Sequence, residues 1–109
     1  MYEYKAFVNK VIDGDTIDFK VDLGFKAFID IRCRLARIDA PGIRKPEGKV
    51  AKAFVESTLP IGTECIIQTK KTDIYGRYLA EVIVNNNNVN DLLLTSKNAI
   101  LYDPKNKQG

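Results

Sequence analysis

The feature that most limits what this chain can fold into is an alternation of period two. Thr16-Ile17-Asp18-Phe19-Lys20-Val21-Asp22-Leu23 sets polar and apolar residues in strict turn. Successive side chains of a strand point to opposite faces, so one face of this segment is predicted to be buried and the other wet. Ahead of it, Asp13-Gly14 follows Val11-Ile12. Both residue types tolerate positive φ, which predicts a hairpin closed by a type I′ turn. Gly24 marks a second turn. Ala27, Ile29, Ile31, Cys33 and Leu35 then alternate with Phe28, Asp30, Arg32, Arg34 and Ala36, a third long strand with Asp39 at its end. Three strands joined by tight turns make a meander.

Beyond it the period changes. Gly42 to Gly48 is polar and rich in Gly and Pro, and reads as a loop. Val50, Ala51, Phe54, Val55 and Leu59 recur at helical spacing, and Pro60 with Gly62 ends that helix, predicted near 48–59. Cys65, Ile67 and Thr69 suggest a fourth strand, and Tyr78 to Val84 a fifth. After the turn Asn85–Asn88, a second short helix is expected near 89–97, capped by the asparagines. This order matches a mainly β, α+β fold: a five-stranded Greek-key barrel of the oligonucleotide-binding (OB) type with two short helices. Residues 1–109 are expected to form a single domain with a flexible tail from about 103.

Composition narrows the chemistry. The chain has no histidine, which removes the usual general base and any Ser-His or Cys-His catalysis. Cys33 and Cys65 fall on the apolar side of strand-like segments and read as buried free thiols. A net charge of +3 is compatible with a phosphate-bearing partner without requiring one. No apolar run approaches the roughly 20 residues that span a bilayer, so no membrane association is expected. Met1-Tyr2-Glu3-Tyr4-Lys5 lacks a basic n-region and apolar h-region, and the chain as given is expected to be cytoplasmic.

What remains is carboxylates, arginines and a hard metal ion. Asp15 follows the first turn and Asp39 ends the third strand, so the two can supply the core of a Ca²⁺ or Mg²⁺ site. Taken singly, Asp13 and Asp39 also read as turn-forming residues, and Arg34 as an exposed strand arginine. Arg77 opens the fifth strand, and a guanidinium suits a phosphoryl oxygen because it donates bidentately and keeps its charge.

"VIDGDTI", "RLARIDAP" and "TDIYGRYLAEV", in this order and with a helix between the last two, resemble the staphylococcal nuclease family. The resemblance runs from about residue 6 to residue 102. It implies an OB barrel that hydrolyses phosphodiester bonds in DNA or RNA with Ca²⁺, most simply as a monomer acting on single strands. By the same resemblance Asp15 and Asp39 are the metal carboxylates, with the Ala40 carbonyl as a backbone ligand. Arg34 and Arg77 grip the scissile phosphate, and Tyr75 and Tyr102 lie beside the substrate. One position departs from the family pattern. Where the family has a glutamate after the proline of its Asp-x-Pro-Glu motif, acting on the attacking water, this chain has Gly42. Glu47, five residues on, is the candidate substitute, against a plainer role as a first-turn helix residue favoured by the dipole. The resemblance therefore leaves two expectations: a slow nuclease, or a binding module that holds single-stranded nucleic acid or a protein partner without cutting.

Overall fold

The computed structural model describes residues 2–72 and 77–103. Its elements are β1 (Tyr2–Asp13), β2 (Thr16–Gly24), β3 (Ala27–Leu35), β4 (Ile38–Asp39), α1 (Pro46–Thr58), β5 (Glu64–Thr72), β6 (Tyr78–Val84), β7 (Asn87–Asn88), α2 (Val89–Thr95) and β8 (Ile100–Leu101). Five strands lie in the order β3-β2-β1-β5-β6 with antiparallel neighbours. A parallel pairing of β3 with β6, through Cys33–Tyr78, Arg34–Leu79 and Leu35–Ala80, closes them into a barrel. This is the OB barrel of the α+β class that the sequence order predicts.

The alternation in β2 works as expected. Ile17, Phe19 and Val21 are buried, while Asp18, Lys20 and Asp22 are not. Ile17, Phe19, Leu35, Ile38, Ile67 and Leu93 are all fully buried, each worth about 1.5–3 kcal/mol of burial. Cys33 and Cys65 are free and sit within this core, where burial pushes both thiols up to about 12.

Four local expectations need correction. Asp13 pairs with Thr16, so the first hairpin turns at Gly14-Asp15, and neither Asp13 nor Gly14 is left-handed. The glycine is needed for space instead: a Cβ there would lie 2.8 Å from the Cβ atoms of both Ala40 and Ala51. The third strand is long, but only Cys33 and Leu35 are buried along it. Its first half projects beyond the barrel with Phe28 and Ile29 exposed, and Phe25 stands fully exposed at the turn with φ 55°. That strand also stops at Leu35, so Arg37 lies in a turn with φ 70° and Asp39 in the separate β4. Finally, α1 begins at Pro46, inside the expected loop. Proline at the first helical position has no donor to lose and a φ already suited to the helix.

The buried positions of α1 are Gly48, Ala51 and Val55, one stripe of mostly small residues that lets the helix come close to the barrel. A Cβ on Gly48 would overlap the Gly42 carbonyl, so this contact fixes where the chain runs after Pro41. Helix α2 is capped as predicted: the Asn88 side chain accepts from the Asp91 amide. It ends at Thr95, two residues short of expectation, where Lys97 turns left-handed.

A polar knot fixes the turn between β3 and β4. Asn90, fully buried, donates to the Ala36 carbonyl (2.9 Å) and the Ala80 carbonyl (3.0 Å), and accepts from the Val82 amide (3.1 Å). Arg37 donates to both oxygens of Glu81, at 2.8 and 2.6 Å, and to Asp91 at 2.8 Å. With β8 paired to β4 through Ile38–Leu101 and Asp39–Ile100, these contacts set the position of Asp39. Among the described residues no helix is long and apolar enough to cross a membrane.

Candidate functional site

At the end of the barrel where β3 meets β6, three backbone features bring two acids together. The Asp13 side chain accepts from the Asp15 amide (3.0 Å), which folds the first turn so that Asp15 leads into β2. The Asp15 carbonyl accepts from the Leu35 amide (2.8 Å), so it lies beside the end of β3. Across from it, the Ala40 amide donates to Asp15 Oδ2 (2.9 Å), joining the first turn to the segment after β4. Asp15 Oδ1 accepts from the Thr16 hydroxyl (3.2 Å). Both Asp15 and Asp39 are buried.

Between them lies Arg34. Its Nη2 is 3.4 Å from Asp15 Oδ2 and 3.3 Å from Asp39 Oδ1. Its Nη1 donates to the carbonyls of Leu35 (3.1 Å) and Ile38 (2.9 Å). The Tyr102 ring covers the guanidinium, with Cζ 5.3 Å from the ring centroid, and the Tyr102 amide is held by the Arg37 carbonyl at 2.8 Å. The reading of Arg34 as an exposed strand arginine is thus corrected. Its side chain is 12% exposed.

The electrostatics follow from burial. Removal from water pushes the Asp15 carboxyl up to about 7, and the neighbouring Asp13 carboxyl adds to the rise. The Ala40 amide and Arg34 oppose it without cancelling it. A buried acid that is costly to ionise is an acid whose environment favours an added cation.

Of the residues singled out from the sequence, Asp15, Arg34, Asp39, Ala40 and Tyr102 come together here. Arg77 is half-buried and directly precedes the Tyr78–Cys33 pair, which places its backbone next to the strand carrying Arg34. Tyr75 lies outside the described residues. Glu47 is exposed on the first turn of α1, as its plainer reading expects, and has no hydrogen bond to the carboxylate pair among the described residues. Arg37, which stands beside Arg34 in the motif, is turned away into the polar knot with Glu81 and Asp91. The spacing of the sequence gave no sign of Asn90 or of the Arg37–Glu81 pair, since both are fixed by contacts between distant segments.

The donor chemistry suits Ca²⁺. Two carboxylates and a backbone carbonyl are hard oxygen ligands, and histidine and cysteine take no part. Among the described residues no group of three His, Cys, Asp or Glu side chains gathers around a common point, so a cation here would draw the rest of its shell from backbone and water.

In comparison with known proteins, a family model described as staphylococcal nuclease homologue matches residues 32–109. Protein ParB of Escherichia coli is 37% identical over 83 residues, which are 76% of this chain and 44% of ParB. The chain therefore spans less than half the length of that relative. The family match begins after Asp15, so the placement of Asp15 in the site rests on the contacts described above.

Proposed function

This chain belongs to the staphylococcal nuclease homologues, and on that premise we propose that it binds single-stranded nucleic acid and hydrolyses its phosphodiester bonds slowly in the presence of Ca²⁺. Membership points to nuclease or nucleic-acid-binding function. The observation that carries the finer reading is the convergence of the Asp15 and Asp39 carboxylates on Arg34 at the mouth of the barrel.

In this reading Asp15, Asp39 and the Ala40 carbonyl would hold the metal, which when bound supplies charge neutralisation at the phosphate and acidifies water. Arg34 and Arg77 hold the phosphoryl oxygens, a task suited to a planar fork of donors with a permanent charge. Tyr102 lies against Arg34 and orients the nucleotide, and Tyr75 is assigned the same kind of role. Arg34 and Arg77 stabilise charge that develops on the phosphate, to which a bound cation would add, and such stabilisation is the larger part of this catalysis. The missing part is the base. Gly42 has no carboxylate to take a proton from the attacking water, and a positioned general base is worth typically 10²–10⁴ in rate. Slowness follows from that one position.

Gly42 also supports the second reading, a module that binds without cutting. One pair of experiments separates them. Degradation of single-stranded DNA is measured with Ca²⁺ and with EDTA, for the native chain and for Gly42→Glu. Gly42 is not left-handed, so a side chain there brings no left-handed backbone strain. The nuclease reading expects weak Ca²⁺-dependent cleavage that rises about 10²-fold or more in Gly42→Glu, and that disappears in Arg77→Ala. Binding of DNA with no cleavage by either protein leaves the binding module. Loss of activity in Glu47→Gln would instead show that Glu47 already supplies the base.

A further inference from the structure

The four acceptors around Arg34 leave its guanidinium turned inward. Of five N–H donors, two on Nη1 are taken by the carbonyls of Leu35 and Ile38, and those on Nη2 face Asp39 and Asp15. Among the described residues Nε has no acceptor. A residue expected to grip a phosphate therefore turns its Nη2 donors to the very carboxylates expected to hold the metal.

The reason is electrostatic. Asp15 and Asp39 are both buried. Ionising two buried carboxylates side by side is costly unless a cation or a proton offsets one of them. With no metal present, the cation the fold brings to both is the Arg34 guanidinium, whose Nη2 lies 3.4 Å from Asp15 and 3.3 Å from Asp39. Arg34 is well suited to it because its strand is pinned on both sides, to Thr16 in β2 and to Leu79 in β6. The Tyr102 ring lies over the guanidinium, its centroid 5.3 Å from Cζ.

We propose that Arg34 is the built-in counter-ion of the Asp15–Asp39 pair, that it competes with a divalent cation for those two carboxylates, and that its release from them is what frees its donors for phosphate. This rests on the calcium reading of the site and adds to it a coupling. Metal and phosphate would each favour the same displaced state of one side chain, so each must strengthen the binding of the other by the same factor. The free protein would bind metal weakly because Arg34 has to be moved first.

The test uses the native chain, Arg34→Met and Arg34→Lys, without nucleic acid. Ca²⁺ is titrated calorimetrically. Arg34→Met should bind Ca²⁺ at least about fivefold more tightly than the native chain, the low end of typical coupling between sites, whereas Arg34→Lys, which keeps the charge, should stay within about twofold. Equal or weaker binding by Arg34→Met overturns the proposal. A native chain and an Arg34→Met variant that both give no heat overturn the calcium reading itself, a separable outcome. A measurement on the native chain alone guards against a variant that does not fold. Nitrogen-15 NMR of the Arg34 guanidinium should show slow rotation of its Nη groups in EDTA and faster rotation when Ca²⁺ is saturating. Rotation unchanged by Ca²⁺ that demonstrably binds overturns the proposal as well.

Discussion

Gly48→Ala sets two physical rules against each other. Gly48 lies in the first turn of α1, and in a helix alanine is favoured over glycine by about 0.8–1 kcal/mol. Propensity alone predicts a gain. The structure predicts a loss. A Cβ at Gly48 would overlap the Gly42 carbonyl outright and lie 2.8 Å from the Pro41 carbonyl oxygen. All of these are backbone atoms, which cannot rotate away as the end of a side chain can. Overpacking of this kind costs about 1–3 kcal/mol and sometimes more, and an overlap with backbone belongs at the upper end. Against a gain of about 1 kcal/mol the net is a loss of roughly 2 kcal/mol or more. For a domain of about 100 residues that lowers Tm by about 8 °C or more. The assay is thermal unfolding by circular dichroism, backed by urea titration at 25 °C. The shift also has a local signature. Pro41 and Gly42 follow Ala40, whose amide binds Asp15, so the variant should lose Ca²⁺ or DNA binding out of proportion to its loss of stability. A Tm equal to or above that of the native chain would refute the close packing of α1 on Gly42, and with it the explanation of why a glycine sits there.

Asp15 gives a pH dependence with a definite sign. Its carboxyl is held at about 7 in the folded chain, against 3.8 for an ordinary aspartate. The folded state therefore holds a proton that the unfolded state gives up, and stability falls as pH rises from about 4 to about 7 and is level above that. Metal-free Asp15→Asn should accordingly be the more stable protein at pH 8, by roughly 4 kcal/mol, and the advantage should vanish near pH 4 in parallel urea titrations. An advantage independent of pH would show that the charge is not its source. Cys33 and Cys65, with thiols raised to about 12, should both resist an aromatic disulfide reagent at pH 8 until the chain is unfolded in urea; a fast-reacting thiol in the native protein would contradict their burial. Arg37→Ala should cost about 2 kcal/mol in chemical denaturation, because it leaves the buried Glu81 carboxylate without its two closest donors, and a change under 0.5 kcal/mol would show that Lys70 and Asn88 suffice.

What could be read from the sequence depended on how local its cause was. The faces of β2 from Ile17 to Asp22 and the positions of β6 and the start of α2 are set by neighbours within a few residues, and the alternation and helical spacing recorded them. Asp15, Arg34, Asp39 and Tyr102 were named together only through the resemblance of three separated motifs, since nothing local ties Asp15 to Ala40. The errors share one origin. Gly14 looked like a residue chosen for positive φ, and is there because Ala40 and Ala51 approach it from elsewhere in the chain. Gly48 looked like loop for the same reason, a contact with Gly42 that no window along the sequence contains. Asp39 looked like the end of the third strand because strand alternation was carried past Leu35. The left-handed turn that ends β3 at Leu35 is imposed by Asn90 and Glu81, both more than 40 residues away in sequence.

The parallel seam of β3 with β6 has a consequence for the order in which the molecule is made. β1, β2 and β3 pair with strands next to them in the chain and can form as soon as they meet. The seam joins residues far apart in sequence through three pairs only, and closing so long a loop costs entropy that a short contact repays late. Arg34 is in the middle pair of that seam, and Arg77 immediately precedes its first. Closing the barrel is therefore also the step that brings Arg34 and Arg77 together, and a chain still open at the seam has the sheet but not the proposed phosphate site. The same argument runs backwards in the finished protein. The seam is where the barrel parts at least cost, so those β6 amides that face β3 should exchange with solvent through a smaller opening than those of β1, and any ligand that bridges Arg34 and Arg77 would act as a clasp that slows them.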